Sequence, residues 1–214
     1  MIHLHYLPGA ASMAPHLVLE ELGLVYQLDK IDKEGGELNS AAYRKLNPNG
    51  LTPVLVDGDL VLYESAAICL HLADSRPEAG LLPALGSAGR GHAYKWMSWL
   101  STTVQPALLL YFYPERWTDT PEATGQLKIH AEARVMALMG QLDAQLASHG
   151  GPWLLGESFS VPDLYAMMLC RWTRGFAGAK ATDLPHILPW LGRVTARPAV
   201  QRVFAQEDLP LPWF

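Results

Sequence analysis

The stretch Asn47-Pro48-Asn49-Gly50-Leu51-Thr52-Pro53-Val54-Leu55 organises the N-terminal part of the chain. Three turn-forming residues lie near its start, and a second proline stands directly before an apolar run. Because proline cannot donate to a strand ladder, Pro53 must begin its strand or occupy a bend. If the Thr52–Pro53 peptide bond is cis, it fixes a tight turn and leaves the Thr52 backbone free to bond another group.

The flanking pattern predicts a small α/β module. Asp57-Gly58 separates two short apolar runs, which indicates a hairpin. Upstream, residues 2–7 and 24–31 predict two strands joined by a helix with one apolar face, and residues 41–46 predict a helical turn. Residues 65–73 predict a helix after the hairpin. This order predicts a mixed sheet whose first two strands are parallel, with a right-handed crossover between them.

The second half of the chain is predicted to be all-helical. A linker rich in Gly, Pro and Ala at residues 76–91 precedes helical patterns at 93–110 and 121–146, and further helices begin near 160 and 185. Ser160-Val161-Pro162-Asp163 has the form of a capping box, which Phe159 and Leu164 would accompany as a hydrophobic staple. We expect this motif to stabilise the fold and to have no part in chemistry.

Composition limits the class of protein. The 214 residues are 50% hydrophobic and 17% charged, with a net charge of -5 and no cluster of Lys or Arg, which argues against a nucleic-acid or anionic-membrane surface. No apolar run is long enough to span a bilayer, and no signal peptide is visible. Two cysteines, Cys69 and Cys170, lie in helical patterns, so we expect a reduced, cytoplasmic protein without a disulfide framework.

These features together resemble the cytosolic glutathione S-transferase superfamily over nearly the whole chain. The segment Tyr6-Leu7-Pro8-Gly9-Ala10-Ala11-Ser12-Met13-Ala14-Pro15-His16 is similar to the bacterial beta-class pattern Tyr-x-Pro-Gly-x-Cys-Ser-x-x-Pro-His. The stretch from Asn47 to Leu55 matches Asn-Pro-x-Gly-x-x-Pro-Val-Leu. The resemblance implies a thioredoxin-like glutathione-binding domain at residues 1–78 and an all-helical domain at 90–214.

Two positions depart from that pattern. Ala11 stands where the beta class has the cysteine that forms mixed disulfides with glutathione, and neither Cys69 nor Cys170 lies where it could replace it. Gln105 stands near the position of a histidine that the family often carries in the first helix of the helical domain. Both departures weaken the expectation of catalysis through a protein cysteine or through a base from that helix.

The resemblance implies roles for five residues in glutathione binding. The Thr52 backbone, with Pro53 cis, would pair with the cysteinyl unit of glutathione as a strand edge does. Glu64 and Ser65 open a helix, where Ser65 and free N–H groups would bind the γ-glutamyl carboxylate and Glu64 the neighbouring ammonium group. Lys33 would meet the glycine carboxylate. Taken alone, the same residues fit a plain turn, a helix cap and a solvated lysine.

Two hydroxyl groups compete for the task of activating the thiol. Ser12 lies at the start of the first helix, where a donated hydrogen bond and the helix N-terminus would lower the pKa of a bound thiol. Tyr6 ends the first strand and could do the same. The alternatives are a helix cap for Ser12, a half-buried strand aromatic for Tyr6, and activation by neither. We expect His16 to be a satisfied surface or interface residue.

Aromatic residues of the helical half could form an apolar pocket for an electrophile, although aromatic residues at helical spacing are more often core. The candidates for the pocket are Tyr111, Phe112, Trp117 and Trp172. The eight histidines show no metal-ligand spacing, so no metal is expected.

The resemblance implies attack of glutathione thiolate on a small hydrophobic electrophile, with glutathione as co-substrate and a homodimer as the assembly. A different class remains open, namely a glutathione-binding or protein-binding module of the same fold without catalysis. A glutathione-dependent isomerase is a third alternative, but Ala10-Ala11-Ser12 fits the start of its first helix poorly.

Overall fold

The structure is a computed structural model that describes residues 1–214. It divides into two units, the first formed by Met1–Leu82 with Ala196–Pro210, and the second by Pro83–Thr195 with Leu211–Phe214. Residues 196–210 therefore group with the N-terminal part of the chain, whereas the domain boundaries expected from the sequence assign them to the helical half. No helix combines the length and the apolar character that a membrane crossing requires.

A four-stranded mixed sheet forms the centre of the first unit. Its strands are β1 (Ile2–Tyr6), β2 (Tyr26–Lys30), β3 (Val54–Asp57) and β4 (Leu60–Tyr63), in the order β2-β1-β3-β4. β1 runs parallel to β2 and antiparallel to β3, and β3 pairs with β4 as a hairpin. This topology confirms the predicted mixed sheet, and the thioredoxin-like fold class is confirmed with it.

Four helices accompany the sheet, namely α1 (Met13–Glu21), α2 (Ala41–Leu46), α3 (Ser65–Asp74) and, from the end of the chain, α9 (Pro198–Gln206). The prediction that the first helix has one apolar face is wrong, because all seven residues from Met13 to Leu19 are buried. α1 packs against both α3 and α9, so it has no solvent-exposed side over that length.

The second unit consists of helices, as predicted. They are α4 (Ala88–Trp99), α5 (Gln105–Phe112), α6 (Pro121–His149), α7 (Val161–Trp172) and α8 (Ile187–Thr195). A π-helical segment, Leu100–Val104, joins α4 to α5, so the single helix predicted at 93–110 contains a wider turn. Pro106 follows this segment, and a proline in a regular helix would clash with the carbonyl group four residues earlier.

The capping box predicted at Ser160–Asp163 is present at the start of α7. The N–H and the hydroxyl of Ser160 both donate to Oδ2 of Asp163, at 3.0 and 2.9 Å. Oδ1 of the same carboxylate accepts from the Leu154 N–H at 2.8 Å and from Trp190 Nε1 at 2.9 Å. Asp163 is fully buried and therefore ties three segments of the second unit together.

Candidate functional site

The sheet register brings the ends of three strands to one edge. Val54, the first residue of β3, pairs with the next-to-last residue of β1 and with the last residue of β4. The next residue at this edge from each of the three strands therefore lies beside the others, and these residues are Tyr6, Pro53 and Glu64. The α/β topology thus assembles most of the predicted site residues of the first unit at one place.

The Thr52–Pro53 peptide bond is cis. Because β3 begins at Val54, Thr52 lies outside the strand ladder. No hydrogen bond within the chain engages its N–H or its C=O. A half-buried backbone with one free donor and one free acceptor is suited to pairing with an extended peptide-like molecule.

Two buried side chains hold Leu51, the residue before Thr52. The carbonyl oxygen of Leu51 accepts hydrogen bonds from the Tyr43 hydroxyl at 3.0 Å and from Nδ2 of Asn47 at 2.8 Å. Oδ1 of Asn47 also accepts from the Asn49 N–H at 3.0 Å. Sequence reasoning identified the turn but missed Tyr43, because nothing in the local pattern links α2 to this carbonyl group.

Gly50 is required in the turn for two reasons. Its φ of +63° is a conformation that side chains with a Cβ rarely adopt, and a Cβ there would lie 2.8 Å from the carbonyl oxygen of Leu38. The glycine therefore permits close approach of two backbone segments two residues before Thr52.

We expect Gly50→Ala to lower the free energy of unfolding by about 2–4 kcal/mol, because left-handed backbone strain and the clash act together. Gly58→Ala is the matched control, since Gly58 has a φ of +58° but no atom within 4 Å of the position that a Cβ would take. The control is expected to lose only about 1–2 kcal/mol. Chemical denaturation measures both values, and equal losses would contradict the role given to the Leu38 carbonyl group.

Glu64 and Ser65 form the start of α3 in an unusual conformation. Glu64 has φ 74° and ψ 109°, a region that costs a residue with a Cβ about 1–3 kcal/mol. It is exposed, whereas Ser65 is buried and its hydroxyl has no hydrogen-bond partner in the chain. α3 has no acidic residue in its first turn, so its N-terminal N–H groups and the Ser65 hydroxyl can bind an anion.

The structure distinguishes the environments of the two candidate hydroxyl groups. Ser12 is fully buried, and its Oγ donates to the Leu7 carbonyl at 3.0 Å while it accepts from the Leu7 N–H at 3.1 Å. Tyr6 is 7% exposed, and its hydroxyl has no hydrogen-bond partner in the chain. Burial, and then the negative charge of Glu207, raises the pKa of the Tyr6 hydroxyl, which therefore stays protonated and able to donate.

Free backbone N–H groups lie at the start of α1. The N–H groups of Ala11 and Ser12 have no acceptor within the chain, and the nine-residue helix that follows carries no acidic residue in its first turn. The positive end of the helix dipole and these two donors favour a negative charge beside Ala11.

His16 and Glu207 form a buried pair that sequence reasoning missed. Oε1 of Glu207 lies 2.8 Å from Nδ1 of His16, and Oε2 accepts from the Gly9 N–H at 2.7 Å. Nε2 of His16 lies 2.7 Å from Oε1 of Gln206 and 3.0 Å from the Tyr26 hydroxyl. The prediction that His16 is a satisfied surface or interface residue is wrong about its place, since both members of the pair are buried inside the first unit, but the histidine is satisfied.

This pair fixes the loop that carries Ala11. Gly9 precedes Ala11 by two residues, and its N–H is held by a carboxylate from the far end of the chain. Glu207 follows α9, which packs on α1, so the loop is held from the helix side of the sheet. No local sequence signal could have found a contact that spans 198 residues.

Lys33 stands apart from these groups. It is exposed in the turn after β2, and its ammonium group makes no hydrogen bond or ion pair within the chain. Ile31, the residue after β2, donates its N–H to the Tyr6 carbonyl at 3.0 Å, and Lys33 follows two residues later.

Three of the four aromatic candidates form a cluster in the second unit. The ring centroids of Tyr111 and Phe112 are 5.3 Å apart, and those of Phe112 and Trp172 are 6.0 Å apart. Tyr111 and Trp172 are largely buried, whereas Phe112 is 40% exposed and offers the cluster's accessible surface. Trp117 is 71% exposed and makes no ring contact with the cluster.

The two cysteines do not contribute a reactive thiolate. Cys69 on α3 and Cys170 on α7 are both fully buried, and burial raises the pKa of each thiol. No group of three or more His, Cys, Asp or Glu side chains in the chain is arranged to hold a metal ion.

Known protein families and proteins are similar to this chain in sequence. The family model for the glutathione S-transferase N-terminal domain matches residues 10–75, and the model for the C-terminal domain matches residues 72–198. Glutathione S-transferase GstA of Escherichia coli O157:H7 is 30% identical over 208 residues, which cover 96% of this chain and 98% of that protein.

Solved structures agree with the sequence matches. A glutathione transferase homologue from Sulfitobacter with bound glutathione superposes with a TM-score of 0.88 at 28% identity, covering 98% of this chain and 99% of the other. A bacterial beta-class glutathione S-transferase of Sphingomonas chungbukensis gives a TM-score of 0.82 at 29% identity, covering 97% of this chain and all of the other. The chain belongs to the glutathione S-transferase family.

Proposed function

We propose that the chain is a glutathione transferase that transfers the glutathionyl group to a small apolar electrophile. The observation that carries this proposal is the sheet edge at which an unpaired Thr52 backbone lies beside the free N-terminus of α3. Glutathione is a peptide-like molecule whose γ-glutamyl end carries a carboxylate. The sheet edge offers the Thr52 backbone to the peptide part and the N-terminus of α3 to that carboxylate.

The binding roles follow from the groups that the chain leaves free. Thr52, next to Pro53, pairs with the backbone of the cysteinyl unit, and Ser65 with the N–H groups of α3 holds the γ-glutamyl carboxylate. Glu64, exposed at the N-cap, holds the ammonium group, and Lys33 is the cation available to the glycine carboxylate. In this arrangement residues 1–78 bind glutathione and residues 90–214 carry the electrophile pocket.

Thiol activation is assigned to Tyr6 and to the start of α1. The unengaged Tyr6 hydroxyl donates a hydrogen bond to the thiolate, and the N–H groups of Ala11 and Ser12 add a further electrostatic contribution. The Ser12 hydroxyl, which is occupied on both sides by Leu7, supports the loop instead. Bound thiolate then attacks the electrophile, the new C–S bond forms, and the leaving group departs with its electron pair.

The two hydroxyl groups are tested by Tyr6→Phe and Ser12→Ala. We expect Tyr6→Phe to raise the pKa of bound glutathione by about 1–2 units, because one hydrogen bond to the thiolate is lost. Ser12→Ala should leave that pKa within about 0.5 units but lower the free energy of unfolding by about 1–3 kcal/mol, because Leu7 loses its partner. Titration of thiolate absorbance and denaturation measure the two effects, and the reverse pattern would return activation to Ser12.

A glutathione-binding module without catalysis is the second candidate, and Ala11 and Gln105 are the observations that favour it. Tight glutathione binding without thiolate absorbance at neutral pH would select this candidate. Absence of glutathione binding would contradict both candidates. We further propose that the chain is cytoplasmic and that it forms a homodimer. Size-exclusion chromatography with light scattering tests the dimer.

A further inference from the structure

Two buried donors converge on the carbonyl oxygen of Leu51 in the first unit. The Tyr43 hydroxyl donates to this oxygen at 3.0 Å, and Nδ2 of Asn47 donates to it at 2.8 Å. Both donor side chains are only 3% exposed. A carbonyl oxygen has two lone pairs, and here both are engaged by side chains of the interior. The direction of the Leu51 C=O group is therefore set by the core of the first unit.

The Leu51–Thr52 peptide group transmits that direction to the N–H of Thr52. The bond between these two residues is not among the cis peptide bonds of the chain, so it is trans. In a planar trans peptide group the C=O and the N–H point in opposite directions. Because the carbonyl oxygen points at Tyr43 and Asn47, the Thr52 N–H points away from both side chains. It is the same N–H that no acceptor within the chain engages.

Tyr43 is itself held by its surroundings. Its ring belongs to a buried apolar cluster with Ile31 and with Val54, the first residue of β3. Its N–H donates at 3.0 Å to Oγ of Ser40, the N-cap residue of α2. Burial, and then the negative charge of Glu37, raises the pKa of the Tyr43 hydroxyl, which therefore remains protonated and able to donate. The ring cluster and the helix cap together fix the position of this donor.

We propose that Tyr43 is a positioning residue for glutathione binding, whose hydroxyl acts through the Leu51 carbonyl to aim the Thr52 N–H at the cysteinyl backbone of the ligand. Asn47 assists from the same side. Hydrogen bonds that a C=O group accepts also polarise its peptide group and strengthen the N–H as a donor. The inference rests on the proposed binding of glutathione, which both candidate functions share. Tyr43 then governs affinity for the peptide part of glutathione and leaves the reactivity of the sulfur unchanged.

The first experiment measures binding by isothermal titration calorimetry in the wild type and in Tyr43→Phe, which keeps the ring and removes only the hydroxyl. The ligands are glutathione and S-methylglutathione, which has no free thiol. We expect Tyr43→Phe to raise both dissociation constants by the same factor of about 3 to 10, because one of the two bonds that direct the peptide group is lost. Asn47→Asp replaces the other donor by an oxygen and should raise both by at least about 10-fold.

Steady-state kinetics separate positioning from catalysis. With 1-chloro-2,4-dinitrobenzene as the electrophile, Tyr43→Phe should raise KM for glutathione by about 3- to 10-fold and change kcat by less than about twofold, the pattern for a lost binding interaction. The pKa of the bound thiol should stay within about 0.3 units of the wild-type value, because the contacts to the sulfur are unchanged.

Ser40→Ala separates the hydroxyl from the helix that carries it. The substitution removes the N-cap of α2 but leaves the Tyr43 hydroxyl and its bond to Leu51 in place. We expect both dissociation constants to change by less than about twofold. Far-UV circular dichroism verifies that each variant is folded.

Unchanged affinity in Tyr43→Phe overturns the inference and leaves the proposed function intact. A loss for glutathione that S-methylglutathione does not share also overturns it, because the effect would then act on the sulfur. An equal loss in Ser40→Ala overturns it as well, because the cause would be the helix. A wild type that binds neither ligand overturns the inference together with both candidate functions. A wild type that binds glutathione without turnover contradicts the transferase alone, and the two dissociation constants still decide the role of Tyr43.

Discussion

Glu207→Ala is expected to lower the free energy of unfolding by about 3–5 kcal/mol, because two buried groups, His16 and the Gly9 N–H, lose the carboxylate that they share. The carboxylate is fully buried, contacts Nδ1 of His16 at 2.8 Å and accepts from the Gly9 N–H at 2.7 Å. Without it, His16 faces an empty space and the Gly9 N–H loses its acceptor, and each unsatisfied buried group adds to the cost.

The same substitution should affect turnover, because Gly9 belongs to the loop that carries Ala11. We expect kcat/KM to fall by about 10-fold or more as the free N–H groups of Ala11 and Ser12 lose their fixed position. Chemical denaturation and steady-state kinetics at a temperature where the variant is folded measure the two effects.

Two other variants define the cause. Glu207→Gln keeps the shape but replaces one of the two acceptor oxygens by an N–H donor, so His16 or Gly9 loses its acceptor and about half of that loss in stability is expected. Glu115→Ala removes an exposed carboxylate in the second unit and should change stability by less than about 0.5 kcal/mol. If Glu207→Ala is as stable as Glu115→Ala, the buried pair does not hold the loop.

The sequence predicted the parts of the site that local chemistry defines. Pro53, with turn residues before it and an apolar run after it, determined where β3 begins. The hairpin predicted from Asp57-Gly58 is present one residue later, since Asp57 ends β3 and pairs with Leu60, and Gly58 and Asp59 form the turn. The register then places Tyr6 and Glu64 beside Pro53, because the pairing of the strands determines which residues lie next to one another at the strand ends. These positions were therefore predictable before any coordinates.

The remaining parts depend on contacts between distant segments. Glu207 follows an ordinary amphipathic helix, and only the packing of α9 on α1 brings it to Gly9. That packing also buries His16 and removes the exposed face predicted for α1. The occupation of the Ser12 hydroxyl by Leu7 arises from the path of a short loop, which residue type does not encode. Such features require three-dimensional distances.

Asp163→Ala is expected to lower the free energy of unfolding by about 4–6 kcal/mol, which exceeds the roughly 1 kcal/mol typical of a helix cap. The carboxylate accepts four hydrogen bonds, from the Ser160 N–H and hydroxyl, the Leu154 N–H and Trp190 Nε1. All four donors are in the interior of the second unit, where alanine would leave them unpaired.

Comparison with Ser160→Ala separates the cap from the rest of this network. That variant removes only one hydroxyl donor and should lose about 1 kcal/mol. Asp163→Asn keeps the shape but replaces one acceptor oxygen by a donor, so a loss between the two values is expected. Urea denaturation followed by the fluorescence of the seven tryptophans gives all three free energies. Losses of similar size in Asp163→Ala and Ser160→Ala would mean that Asp163 acts as a helix cap alone, and that its bonds to Leu154 and Trp190 add nothing to the stability of the helical unit.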